Sequence, residues 1–357
     1  MTHFLHDILR QPKELRWTLG ELTGPGREAV ERAAAAIRAA RQVYLSGIGS
    51  SWHAAIDVWP MFLEAAWPAS LVEASELLQF AEFPPASAII LISRSGRSVE
   101  IVELVRKAKQ RGVTVIGISN APEGTLAKEA DISVLLPIEL DHFISVNTYS
   151  TLAAAAGILA QTVVGKFAAS DARILSRALD EAEAAIPAWR QQMEGSAWFL
   201  PGSTVYFLGR GPSLGTAEET RLMWEEGAKS PATAMGTGVF RHGPQEMVRQ
   251  GTRIGMFIAA KRMREQDLLT ARDLRKLGSS VMLIGQKVPR DGGDLSIELP
   301  EVPSSWQFLI DCIPAQLAAE QQARVSGVDC DSFRLCSFVV EDEAGLLGGA
   351  AGAGAGS

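Results

Sequence analysis

Apolar positions along this chain fall into two recurring patterns, a short unbroken run and a longer stripe at helical spacing. Ala88-Ile89-Ile90-Leu91-Ile92 is such a run, and it predicts a strand buried on both faces. It meets Ser93-Arg94-Ser95-Gly96-Arg97-Ser98, a tight hydroxyl-rich turn, and then Val99 to Leu104, which opens an amphipathic helix reaching about Gln110. The same alternation extends on either side. Arg27 to Arg41 predicts a helix, Val43–Ser46 a strand, Trp52–Ala66 a helix, Val113–Ser119 a strand, Gly124–Glu129 a helix and Ile132–Leu136 a strand. Residues 1–40 read as helical, punctuated at Gln11-Pro12 and at Gly24-Pro25-Gly26. Residues 147–196 read as helical with a break at Ala169-Ser170-Asp171. Strands alternating with helices predict a parallel sheet covered on both faces.

The pattern then repeats. Val43-Tyr44-Leu45-Ser46-Gly47-Ile48-Gly49 is echoed by Val205-Tyr206-Phe207-Leu208-Gly209-Arg210-Gly211, and Ala88 to Ile118 by Arg253 to Ile284. Order and spacing both recur, which points to internal duplication. The predicted fold class is α/β: two doubly wound, flavodoxin-like parallel-sheet units, each a three-layer αβα arrangement. Expected boundaries are an N-terminal helical segment over 1–26, a first unit over 27–169, a helical connector over 170–197 and a second unit over 198–344. The glycine- and alanine-rich tail over 345–357 is expected to be disordered. Aligned on the later strands, Ser93, Ser95 and Ser98 fall on Ala259, Lys261 and Arg264. The second copy lacks the hydroxyls of the first.

That difference directs attention to the first copy's turns. A helix start leaves backbone N–H groups unpaired and carries partial positive charge. Three serines around a glycine add donors at the same point, so the predicted ligand is a phosphate. The plainer role for Ser95 or Ser98 is as an N-cap alone. Gly47-Ile48-Gly49-Ser50-Ser51 is a second such turn, before another helix. A net charge of −7 over 357 residues argues against a nucleic-acid surface and for a small ligand held by local donors. Cys312, Cys330 and Cys336 form no metal-ligand pattern and suit a reducing compartment. Met1 to Asp7 lacks the features of a signal peptide, and Leu152–Val164 is too short to span a bilayer. The expectation is a cytoplasmic protein with no membrane partner. No HExxH, Walker loop or paired-cysteine signature occurs, and Gly47-Ile48-Gly49 lacks the third glycine of a dinucleotide fingerprint. Neither a metal nor a cofactor is expected.

Proton-transfer groups come from the second copy. Glu219, Leu222, Met223 and Glu226 share a helical face by spacing. A carboxylate on such a face would have a raised pKa suited to a base. His242, beside Gly243-Pro244, has a side chain able to exchange protons near neutral pH. His53 and His142, near the serine-rich stretches, are weaker candidates.

Together these residues resemble the sugar isomerase (SIS) domain family, in the tandem form found in the isomerase half of glucosamine-6-phosphate synthase. The resemblance runs from Asp7-Ile8-Leu9-Arg10-Gln11-Pro12 to Gly327-Val328-Asp329. It rests on Gly49-Ser50-Ser51, Ser93 to Ser98, Phe207 to Gly211, the Glu226 helix, His242-Gly243-Pro244 and Ile313 to Leu317. The resemblance implies that Gly49, Ser50, Ser51, Ser93, Arg94, Ser95, Ser98 and Ser145 bind a sugar 6-phosphate. It also implies that Glu226 moves a proton between C1 and C2 and that His242 assists ring opening, in a homodimer with a composite active site.

Three departures qualify this picture. Neither a glutaminase domain nor its cysteine nucleophile is read in this sequence, so glutamine-driven synthesis by this chain alone is not expected. Phe338 and Met223 stand where the synthase carries lysines, and Arg94 stands where it has glutamine. The expected activity is isomerisation of a sugar 6-phosphate or deamination of an amino-sugar 6-phosphate. The alternatives are a non-catalytic phosphosugar sensor or regulatory protein, and a deglycase of a sugar-phosphate–amino-acid adduct, with Arg94 pairing a carboxylate.

Overall fold

The computed structural model describes residues 1–342; the tail over 345–357 lies outside the described residues. The chain divides into two compact units. One comprises Trp17–Ala169 together with the segment from Ser332 onward, and carries the first sheet. The other comprises Met1–Arg16 and Ser170–Asp331 and carries the second.

The chain opens with α1 (His3–Thr23) and α2 (Arg27–Ala39). The first sheet is built from β1 (Gln42–Ser46), β2 (Ala69–Leu71), β3 (Ser87–Ile92), β4 (Thr114–Ser119) and β5 (Ile132–Leu135). Between and after these strands lie α3 (Ser50–Glu64), α4 (Ala74–Phe80), α5 (Val99–Gln110), α6 (Thr125–Glu129) and α7 (Asn147–Val163). All strands are parallel in the order β2-β1-β3-β4-β5. Every residue of β3 is buried, as its unbroken apolar run requires.

After α8 (Ala169–Glu194) the second sheet repeats the plan. Its strands are β6 (Val205–Gly209), β7 (Ala232–Gly236), β8 (Arg253–Ile258), β9 (Ser280–Gln286) and β10 (Leu295–Leu299). Its helices are α9 (Ser213–Glu226), the short α10 (Thr237–Phe240), α11 (Arg264–Lys276) and α12 (Phe308–Ser326). The order β10-β9-β8-β6-β7 is the first order read from the other edge. Duplication extends to single hydrogen bonds. Asn120 donates to the Leu136 carbonyl, and Gln286 to that of Val302. The Asp131 carboxylate accepts from Val115 N at 2.8 Å, and that of Asp294 from Val281 N at 2.7 Å.

Two expected breaks fall elsewhere. Gln11-Pro12 does not interrupt α1, although proline denies the Ile8 carbonyl its helical partner. The stripe formed by Ile8, Leu15, Leu19 and Leu22 is buried and outweighs that loss. The helix before the connector ends at Val163, not at Ala169-Ser170-Asp171. Gly165, at φ +69°, terminates it while Lys166 N returns to the Gln161 carbonyl. Asp171 then sits in the first turn of α8, where a carboxylate suits the helix dipole. Among the described residues no helix is long and apolar enough to cross a membrane.

Candidate functional site

In the first sheet the strand order reverses between β1 and β3, and ligands of such sheets bind where the order reverses, beyond the carboxyl ends of the strands. The two strands run in register, Ser46 beside Leu91, so the loops leaving them flank one crevice. One loop carries Gly49-Ser50-Ser51 and the other Ser93 to Ser98. Gly49 turns the chain into α3 at φ +57°. Gly96, at φ +61°, does so before α5, and its carbonyl accepts from Leu126 N. Gly124 must stay bare, because a Cβ there would lie 2.3 Å from the Ser95 carbonyl oxygen.

The serines divide into two groups. Ser93 and Ser95 brace the turn, their hydroxyls accepting from Gly96 N at 3.0 Å and Arg97 N at 3.2 Å. Ser98 occupies the N-cap of α5 without making a capping bond. The hydroxyls of Ser50, Ser51 and Ser98 make no hydrogen bond among the described residues, although Ser51 is buried. Donors at the start of two helices are therefore available on both sides of the crevice.

Arg94 and Ser145 are brought together. The guanidinium donates to Ser145 Oγ at 3.0 Å and to the Phe338 carbonyl at 2.5 Å, and it lies 3.9 Å from the centroid of the Phe338 ring. Arg94 and Phe338, two of the positions that depart from the synthase pattern, are thus in contact. The C-terminal segment is held further by Val99 N, which donates to the Val340 carbonyl, and by Phe333, edge-on to Phe143. A cleft of about 230 Å³ is lined by Arg94, Ser95, Arg97, Glu123, Leu140 and Phe338, among others. Beside it, Asp141 ties down the start of α7 by accepting from the backbone and side chains of Asn147 and Thr148 and from Val146 N. Burial raises the Asp141 pKa despite those bonds.

Glu226 and His242 belong to the unit of the second sheet. Glu226 is the last residue of α9 and half-buried; its carbonyl accepts from Lys229 Nζ. Of the predicted face, Glu219 and Met223 are buried, whereas Leu222 and Glu226 are only partly covered. His242 is exposed in the turn after α10, with its N–H donating to the Val239 carbonyl. His53 is buried in α3 and His142 exposed. At the reversal point of this sheet Arg210 pairs with Asp267, and Ser213 donates to Asp311 at 2.6 Å. Gln307 also donates to Asp311, yet burial pushes that carboxyl up to about 7.

Among family models, the SIS domain matches residues 36–168, within the unit of the first sheet. This part of the chain is similar to a SIS domain. Among curated relatives, a glutamine–fructose-6-phosphate aminotransferase (isomerizing) of Pyrobaculum aerophilum is 27% identical over 347 residues, covering 93% of this chain and 56% of its own length. The chain spans about half the length of the curated relatives it matches. Among solved structures, the C-terminal domain of glucosamine-fructose-6-phosphate aminotransferase from Francisella tularensis superposes with a TM-score of 0.82 at 21% identity, covering 93% of this chain and 98% of that one. Glucosamine-6-phosphate deaminase of Thermotoga maritima gives a TM-score of 0.80 at 22% identity, covering 95% and 99%. Both likenesses establish the fold, two parallel-sheet α/β units in one chain.

Sequence reasoning missed the partners that brace these crevices. Asp141, Asp267, Asp311 and Gln307 carry no motif. Arg210 does carry a signal, since it stands opposite Ile48 in the repeat.

Proposed function

We propose that this chain binds a sugar 6-phosphate at the β1/β3 crevice and moves a proton between C1 and C2, isomerising the sugar or deaminating an amino-sugar phosphate. The uncommitted hydroxyls of Ser50, Ser51 and Ser98, at the starts of α3 and α5, carry this reading. A phosphate there would accept from hydroxyls and from backbone N–H groups at two helix starts, which favour negative charge. Ser93 and Ser95 hold the turn in shape for it, and Ser145 with Arg94 closes one side.

Glu226 serves as the base. In the open-chain aldose its carboxylate removes the C2 proton, the electrons pass toward the C1 carbonyl to give an enediol, and return of the proton to C1 yields the ketose. With an amine at C2, the same transfer of the proton from C2 to C1 leaves an imine at C2, which water hydrolyses to the ketose, releasing ammonia. Neither course needs a lysine of the enzyme, which fits Phe338 and Met223 in the lysine positions. His242 assists ring opening, within a cytoplasmic homodimer whose active site is composite.

Incubating the protein in deuterated buffer with glucosamine 6-phosphate, fructose 6-phosphate and related sugars tests this by NMR. Exchange or turnover at C2 is expected, and it should vanish in Glu226→Gln. Binding without exchange across the panel would overturn the enzymatic reading and leave a phosphosugar sensor.

A further inference from the structure

The repeat sets Ile48 and Ile101 of the first unit opposite Arg210 and Asp267 of the second. In the first unit Ile101 is buried in the core beneath α5, and Ile48 packs against that cluster. In the second the same positions form an ion pair, with Arg210 Nε 2.8 and 3.1 Å from the two carboxylate oxygens of Asp267. The Asp267 side chain is 1% exposed and that of Arg210 22%. Exchanging an apolar contact for an ion pair with a buried partner brings no net stability as a rule. The pair therefore calls for a use other than holding the fold together.

Its position supplies one. Arg210 begins the loop that leaves β6, where the second sheet's order reverses between β6 and β8. Only Nε is spent on Asp267; neither Nη makes a hydrogen bond among the described residues. Asp267 thus fixes the guanidinium plane and leaves the other edge of the fork open. Nη1 lies beside Gly238, 3.4 Å from where a Cβ would stand. Lys261 is exposed on the loop leaving β8, and Arg241 is exposed after α10, close enough to attract the Asp267 carboxylate. A basic mouth in a chain of net charge −7 is a local feature.

We propose that the β6/β8 crevice is a second anion site, in which the Nη edge of Arg210 receives a phosphate group. The first crevice grips its anion with hydroxyls and helix starts; this one uses a guanidinium braced by a buried carboxylate, a geometry suited to two parallel hydrogen bonds to phosphate. The site is independent of any reaction at the first crevice.

Titration of the full chain with inorganic phosphate, followed by calorimetry and ³¹P NMR, tests it. Two phosphates per chain are expected. Ser93→Ala/Ser95→Ala should weaken one site and leave the other. Arg210→Ile/Asp267→Ile, which installs the apolar pair of the first unit, should keep the melting temperature and remove the second site. Arg210→Lys retains the charge without the fork and should weaken that site about tenfold, the scale of one charge-assisted hydrogen bond. It also provides a readout if the double variant does not fold. Phosphate binding that neither Arg210→Lys nor Arg210→Ile/Asp267→Ile alters would overturn the proposal, whereas a single phosphate lost in the Arg210 variants and kept in Ser93→Ala/Ser95→Ala would count against the first crevice alone.

Discussion

At the β1/β3 crevice the loops carry glycine and serine, and Ser50, Ser51 and Ser98 keep hydroxyls without partners among the described residues. At the β6/β8 crevice the matching loops carry Arg210, Lys261 and Arg264, and Ser213, which stands opposite Ser51 in the repeat, is committed to Asp311. The frames beneath agree down to the hydrogen bonds of Asn120 and Gln286 and of Asp131 and Asp294. Duplication has kept the strands that set the positions of the loops, and divergence has concentrated in the loops, where chemistry resides. One crevice is left open to a ligand by uncommitted hydroxyls; the other has turned several of its polar groups on one another.

The largest way to sharpen that contrast is through Asp311. Its carboxyl holds a proton up to about pH 7 in the folded chain, whereas an ordinary carboxyl releases it near 3.8. The unfolded chain therefore binds fewer protons in this window, and stability falls as pH rises through it. Relative to Asp311→Asn, the wild type should lose about 4 kcal/mol between pH 4 and pH 8 in urea unfolding. An equal pH dependence in the two proteins would mean that burial does not hold the Asp311 carboxyl protonated in the folded chain.

Next come the glycines that let each loop turn. A Cβ on Gly47 would lie 2.7 Å from the Ser51 backbone, and one on Gly209 2.3 Å from the Ser213 carbonyl. Alanine at either position should cost about 3 kcal/mol of stability, because backbone must shift. Tolerance at one position and not the other would break the structural equivalence of the two turns.

Arg210→Ala should cost about 2 kcal/mol, less than for a fully buried pair because Arg210 keeps some contact with water. The Arg210→Ile/Asp267→Ile pair should recover most of that loss in the same unfolding experiment. The smallest effect belongs to Phe338→Ala. Loss of its ring from Arg94 should weaken fructose 6-phosphate binding by about 1 kcal/mol, roughly fivefold, in calorimetry.

Much of this frame could be read from sequence because unbroken apolar runs such as Ala88–Ile92 admit few structures. The repeat exposed the duplication, and with it the loss of hydroxyls at Ala259, Lys261 and Arg264. Edge elements were not legible. β2 is three half-buried residues, and α4 is seven residues long, too short for a clear stripe. Pro12 misled because a local proline penalty is visible in sequence while the burial of Ile8 and Leu15 is not. At the site, serines announced themselves by spacing, but Asp141, Asp267 and Asp311 are ordinary acids until the fold buries them. The contact between Arg94 and Phe338 joins residues far apart in the chain, and no local pattern could reveal it.

The account turns on where the sugar phosphate is held. Fructose 6-phosphate affinity, measured by calorimetry on the wild type and on Ser51→Ala/Ser98→Ala, tests this most directly. Each hydroxyl should contribute about 1.5 kcal/mol as a charge-assisted hydrogen bond, so affinity should fall roughly a hundredfold with folding intact. Unchanged affinity in a folded double variant would contradict the account and remove the phosphate from the first crevice.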